Sequence, residues 1–123
     1  MWIGCGGGGV AEPDTRLIII NGQTLNSDFT AEDNIVVYPS GNCWMVHSDD
    51  GVLSCDYALE NYTKLVLEVQ ATGLDVGISS TTHVPSSQSV QTVEISVQGL
   101  TFTDITFYST DSDPQYIYKM WLE

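Results

Sequence analysis

Three cysteines, two histidines and sixteen carboxylates are the groups in this 123-residue chain with the chemistry for catalysis or metal binding. Cys43, His47 and Cys55 form the best set for a soft metal, but structural zinc takes four ligands, and neither a C-x-x-C nor a paired-histidine spacing is present. No metal and no other cofactor is expected. Calcium takes oxygen ligands from loops, and Asp49-Asp50 and Asp111-Ser112-Asp113 supply carboxylates without completing a calcium-loop pattern. Asp and Ser are also ordinary turn formers. A serine nucleophile needs a base and an oxyanion site; there is no G-x-S-x-G elbow, and His47 and His83 have no recognisable partners in sequence. Paired acids for glycoside cleavage are present in number but not in pattern. The expectation is a protein that is not an enzyme.

Sugar binding asks for less: exposed rings that stack on pyranose faces, with amides or carboxylates nearby to hold hydroxyls. Trp44, Tyr57, Tyr108, Tyr116 and Trp121 are the available rings, and strand alternation buries at least half of such a set. Trp44 and Trp121 are the expected platforms.

The elements that must position these residues read as β throughout. Leu17 to Ile20 is a β-branched run closed by Asn21-Gly22, and Ile35 to Tyr38 is a second, closed by Pro39-Ser40-Gly41-Asn42. Trp44 to His47 and Val52 to Cys55 flank Ser48-Asp49-Asp50-Gly51, which predicts a hairpin. If residues 47–51 form its loop, Cys43 stands opposite Cys55, within reach of a disulfide. In a reducing cytosol each is instead a small buried hydrophobe.

From Lys64 the alternation is clean, with Leu65, Leu67 and Val69 on one face and Lys64, Glu68 and Gln70 on the other. Val93, Ile95 and Val97 repeat it, followed by Ile105 and Phe107. QYIYKMWL predicts Tyr116, Tyr118, Met120 and Leu122 on one face and Ile117, Lys119 and Trp121 on the other. Tyr57 to Tyr62 suits one short helical turn. Seven to nine short strands with polar turns predict an antiparallel β-sandwich or jelly roll over residues 13–123.

Residues 1–12 read as a glycine-rich arm, since five glycines in six positions resist ordering as a strand. Trp2 and Ile3 at its tip are expected to dock on a neighbouring subunit. Only two residues precede Ile3-Gly4-Cys5, so the opening is not expected to be an export signal; a lipidated Cys5 would require a leader upstream.

Arg16, Lys64 and Lys119 are the only cations, and the formal charge is −13. Such a surface repels nucleic-acid phosphate and anionic lipid. No apolar run approaches the ~20 residues of a membrane-spanning helix. Neither nucleic acid nor membrane is an expected partner.

The ordered phrases NYTKLVLEV, LDVGISST, VQTVEISVQGL, TDITFY and YIYKMWLE, with MWIG at the N-terminus, resemble a β-sandwich domain at the C-terminal ends of tail and other virion proteins. These are proteins of phages and prophages of Gram-positive gut bacteria, and the resemblance covers residues 57–123. It implies a galactose-binding-like or jelly-roll sandwich in a structural virion subunit, a head decoration or tail-associated protein made in the host cytoplasm and bound to other virion proteins in many copies. It supplies no catalytic residues. The alternative is a carbohydrate-binding module that attaches to host or mucosal glycans.

Overall fold

The computed structural model describes residues 16–123. Ten antiparallel strands are formed among the described residues: β1 (Leu17–Asn21), β2 (Thr24–Leu25), β3 (Phe29–Tyr38), β4 (Cys43–Leu59), β5 (Lys64–Gln70), β6 (Leu74–Ile78), β7 (Ser80–Val84), β8 (Gln91–Ser96), β9 (Phe102–Ser109) and β10 (Gln115–Leu122). They build a β-sandwich. In the front layer β10 is central, with β5 and then β8 on one side. Its other side is shared by the start of β4, which pairs with residues 115–117, and by β1, which pairs with residues 119–122. The back layer runs from β3 and the second half of β4 through β9 and β6 to β7.

β3 and β4 belong to both layers. β3 pairs with β4 from Tyr38↔Cys43 to Phe29↔Cys55, with a register shift between Asp33 and Ile35, and Asp33 has φ 63°. A bulge of this kind bends a strand pair and lets it pass from one sheet to the other.

Gly51 makes that corner possible. A Cβ there would lie 2.7 Å from Ile35 Cβ and 2.8 Å from the Ile35 backbone nitrogen. The tetrapeptide 48–51 is thus not the hairpin loop its composition predicts: Asp49, Asp50 and Gly51 are strand residues of β4, and the glycine admits the neighbouring backbone. Gly51→Ala is expected to destabilise the fold by about 2 kcal/mol through overpacking. A urea melt with an unchanged m-value checks this.

The continuous β4 also separates the cysteines. Cys43 and Cys55 lie on one strand, twelve positions apart, paired with Tyr38 and Phe29 respectively, and both are free and buried. The bridge considered from sequence is therefore not formed. Burial pushes both thiols up from their ordinary range, and Cys55 Sγ contacts the carbonyl oxygens of Tyr57 at 3.0 Å and Thr103 at 3.6 Å. In a Cys5→Ser background, we expect no fast thiol with an aromatic disulfide reagent until unfolding, when two should appear; a native mass two hydrogens lighter would contradict the free pair.

The core lies between the layers, where Ile20, Leu53, Leu65, Leu67, Leu74, Ile105, Phe107, Ile117, Met120 and Leu122 are each fully buried. The alternation read for β5, β8 and β9 holds, except that Val66 is also buried, opposite Trp121 on the outward side. Residues 57–59 end β4 as strand, and the proposed helical turn at 57–62 does not form. Among the described residues no helix is long and apolar enough to cross a membrane. Trp2, Ile3 and the rest of the arm lie outside the described residues.

Candidate functional site

β10 does not alternate as its sequence suggests. Its pairing with β5 shifts register between Ile117 and Lys119, so Gln115 and Ile117 face the core before the shift and Met120 and Leu122 after it. Tyr116 and Tyr118 are thereby turned to the outer face of the front sheet, where both are half-buried.

Tyr38 joins them from β3, its ring centroid 5.5 Å from that of Tyr116 at an interplanar angle of 38°. Gly41 gives Tyr38 its place, since a Cβ there would lie 3.0 Å from Tyr38 Cδ2 and 3.1 Å from Cys43 Sγ. The Tyr118 hydroxyl donates to Gln70 Oε1 at 3.2 Å, while Gln70 Nε2 donates to the Gln88 carbonyl at 2.8 Å. Burial, with smaller contributions from Cys43, Tyr116 and Tyr38, holds the Tyr118 hydroxyl above its usual range, so it remains a donor.

Two depressions flank this tyrosine bed. One, of about 220 Å³, is lined by Gln70, Thr72, Ser87, Gln88, Asp113 and Tyr116 among others. The other, of about 430 Å³, is lined by Asn21, Gln23, Asn42, Glu68, Tyr118 and Lys119 among others. The β1–β2 turn, with Gly22 at φ 60°, carries the second wall, and Gln23 Nε2 donates to Asn42 Oδ1 at 3.1 Å.

Amides and hydroxyls dominate both linings. Glu68 and Lys119 are partners across β5 and β10, so their opposite charges stand together at one end. The floor is aromatic, with Tyr38 and Tyr116 tilted against each other, and its borders offer donors and acceptors. That arrangement stacks on an apolar ring face and hydrogen-bonds hydroxyls around its rim.

The two tryptophans named from sequence are elsewhere. Trp44 is half-buried against the core, and its Nε1 donates to the Gln23 carbonyl at 3.2 Å, so it supports the wall of the larger depression from beneath. Trp121 is 8% exposed. Its Nε1 donates to Glu123 Oε2 at 2.7 Å, and Arg16 and Lys119 sit 5.3 and 5.1 Å from the ring centroid. Trp121 has no open face to give a ligand; it is engaged by Glu123, Arg16 and Lys119. Tyr116 was among the rings named from sequence, whereas Tyr38 and Tyr118 were missed. Alternation did place Tyr118 on one face with Tyr116; what it did not show is that Met120 and Leu122 leave that face at the shift, so that the tyrosine face is the outer one.

No group of three or more metal-ligating side chains occurs among the described residues, and Cys43, His47 and Cys55 are dispersed along β4. Asp111, half of the calcium pattern considered from sequence, is engaged otherwise. Its Oδ2 accepts the Thr72 hydroxyl at 2.7 Å, and its Oδ1 accepts the Gln115 amide at 2.8 Å and the Asp113 backbone N–H at 3.0 Å. These bonds, the Thr72 hydroxyl first, hold its carboxyl below the usual range.

No family model matches the chain, and no curated protein matches it. Solved structures do. An arginine-to-alanine variant of CBM29-2, studied for ligand recognition by family 29 carbohydrate-binding modules, superposes with a TM-score of 0.70 at 14% identity, covering 89% of this chain and 91% of that one. A lysine-to-alanine variant complexed with cellulohexaose gives 0.70 at 14%, covering 88% and 89%. An aspartate-to-alanine variant complexed with mannohexaose gives 0.70 at 14%, covering 88% and 90%. At this identity the likeness is one of fold, and it is to a β-sandwich. None of these similar structures is described as a virion protein, so the virion role finds no support in them.

Proposed function

We propose that this protein is a non-catalytic carbohydrate-binding module whose ligand lies across Tyr38, Tyr116 and Tyr118 on the front sheet. The observation that carries the proposal is the convergence of Tyr116 and Tyr118 of β10 with Tyr38 of β3 on one outer face between two amide-rich depressions. Solved structures of the same fold holding hexasaccharides of glucose and mannose add support.

The ligand that fits is an uncharged, unbranched saccharide long enough to reach from one depression to the other. A cluster of buried acids poised to cleave it is not part of this face; Glu68 and Asp113 stand at opposite ends. Titration calorimetry with cellulohexaose and mannohexaose tests the proposal. Saturable binding with a dissociation constant in the micromolar to low millimolar range supports it. Absence of heat and of spectral change with both, and with soluble mixed-linkage and branched polysaccharides in affinity gels, overturns it.

Gln70 is expected to set the width of the bed, because it ties Tyr118 to the loop carrying Gln88. Gln70→Ala is expected to weaken binding by about threefold to tenfold, the loss of one or two hydrogen bonds of ordinary strength. Calorimetry with the better of the two hexasaccharides checks this.

A further inference from the structure

The back sheet carries a second aromatic residue in a defined setting. Tyr108 of β9 is 40% exposed on the outward face. Its ring lies over Gly77 of β6: a Cβ at Gly77 would meet Tyr108 Cε2 at 3.2 Å and the hydroxyl oxygen at 3.6 Å. Gly77 does not have a positive φ, so its backbone does not demand glycine. A glycine inside a strand costs stability unless something must approach closely, and here that is the tyrosine ring. The ring is held close over the Gly77 backbone, and the residue keeps 40% of its surface exposed to solvent.

The register sets polar groups on both flanks. Tyr108 stands opposite Asp50 of β4 on one side and Asp75 of β6 on the other. Asp75 stands opposite His83 of β7, and Asp75 Oδ1 contacts His83 Nδ1. That contact engages Nδ1 and leaves Nε2 of the exposed ring as the nitrogen that can meet a ligand hydroxyl. One row thus presents a carboxylate, an exposed tyrosine, a second carboxylate and an imidazole.

From this row we infer a second saccharide site on the back sheet, which takes a single uncharged hexose ring stacked on Tyr108 with hydroxyls hydrogen-bonded to Asp50, Asp75 and His83. Charge sets its selectivity. All three cations belong to the front sheet or the segment before it, whereas the back face adds Glu32 and Asp104 to the two aspartates. Uronic and sulfated sugars are therefore repelled. The inference does not depend on the tyrosine bed of the front sheet. Two sites on opposite faces would let one small module bridge two glycan chains.

The test uses amide ¹H–¹⁵N spectra of the full chain titrated with glucose, mannose, galactose and N-acetylglucosamine, each to about 50 mM, enough to reveal millimolar dissociation constants. The expected result is a saturable set of shifts at Asp50, Asp75, Gly77, His83 and Tyr108 for at least one sugar. That set should survive Tyr116→Ala unchanged, weaken at least about tenfold in Tyr108→Ala, and recover in Tyr108→Phe. Absence of saturable shifts there with all four sugars overturns the inference, as does their persistence in Tyr108→Ala. Failure of cellulohexaose and mannohexaose to shift Gln70 and Tyr118, with the back-sheet set present, would sink the front-sheet proposal and leave this one standing.

Discussion

Tyr116→Ala is expected to weaken hexasaccharide binding by tenfold to a hundredfold, about 1.4–2.7 kcal/mol, while the protein stays folded. Tyr116 is central: it touches Tyr38 on one side and lines the smaller depression on the other. Stacking of an aromatic ring contributes through both its area and its geometry, and central, well-packed rings dominate binding surfaces. The fold survives because the side chain points outward, with Gln115 and Ile117 on either side supplying the core contacts. Tyr116→Phe should retain most of the affinity, since stacking needs the ring. Trp121→Ala sets the contrast, for it should lower the melting temperature and leave affinity within about twofold, because Trp121 is buried beneath Arg16 and Lys119. Affinity that falls in the tryptophan variant and holds in Tyr116→Ala would refute the placement of the site. Calorimetry on the pair, with circular dichroism melts as control, decides between them.

That contrast also marks what was legible in the sequence. Alternation places apolar residues of β5, β8 and β9 in the core because β5 and β8 pair in continuous register and the shifts against β10 and β4 put the extra residues on those partner strands. It fails in β10, where one register shift converts the second half to the opposite phase, and side-chain period alone cannot announce such a shift. It fails again at residues 48–51, whose Asp-Asp-Gly composition favours a turn; the glycine serves a strand crossing because Ile35 presses against it from β3. That contact joins residues sixteen positions apart, and local pattern carries no trace of it. The sandwich class was therefore readable, and the aromatic content of the site was readable, but the face on which the rings converge depends on two irregularities set by tertiary packing.

Gln115→Leu is expected to cost about 3–5 kcal/mol, and to loosen the wall of the smaller depression with it. Gln115 is completely buried, the one polar residue so placed among the described residues. Its Oε1 accepts the backbone N–H groups of Thr72 at 2.8 Å and Gly73 at 3.0 Å. Its Nε2 donates to Ser109 Oγ at 3.2 Å, Asp111 Oδ1 at 2.8 Å and the Asp113 carbonyl at 2.7 Å. Leucine matches the volume but leaves two backbone donors without their acceptor, and unsatisfied buried donors carry the full desolvation penalty. Since Thr72 and Asp113 line the depression beside Tyr116, affinity should fall together with stability.

The same network gives a pH dependence of definite sign. Asp111 has its carboxyl lowered in the folded state, so its contribution is present above the unfolded carboxylate pKa and disappears as pH falls through the lower folded value. Stability of the wild type should therefore decline on acidification below about pH 4, the ordinary range for aspartate, and Asp111→Asn should flatten that decline. Urea melts of the wild type and both variants from neutral to acid pH measure this. A Gln115→Leu protein as stable as the wild type would show that the 72–73 and 109–113 loops hold their shape without the buried amide, and the smaller depression would then have to be explained by the strands alone.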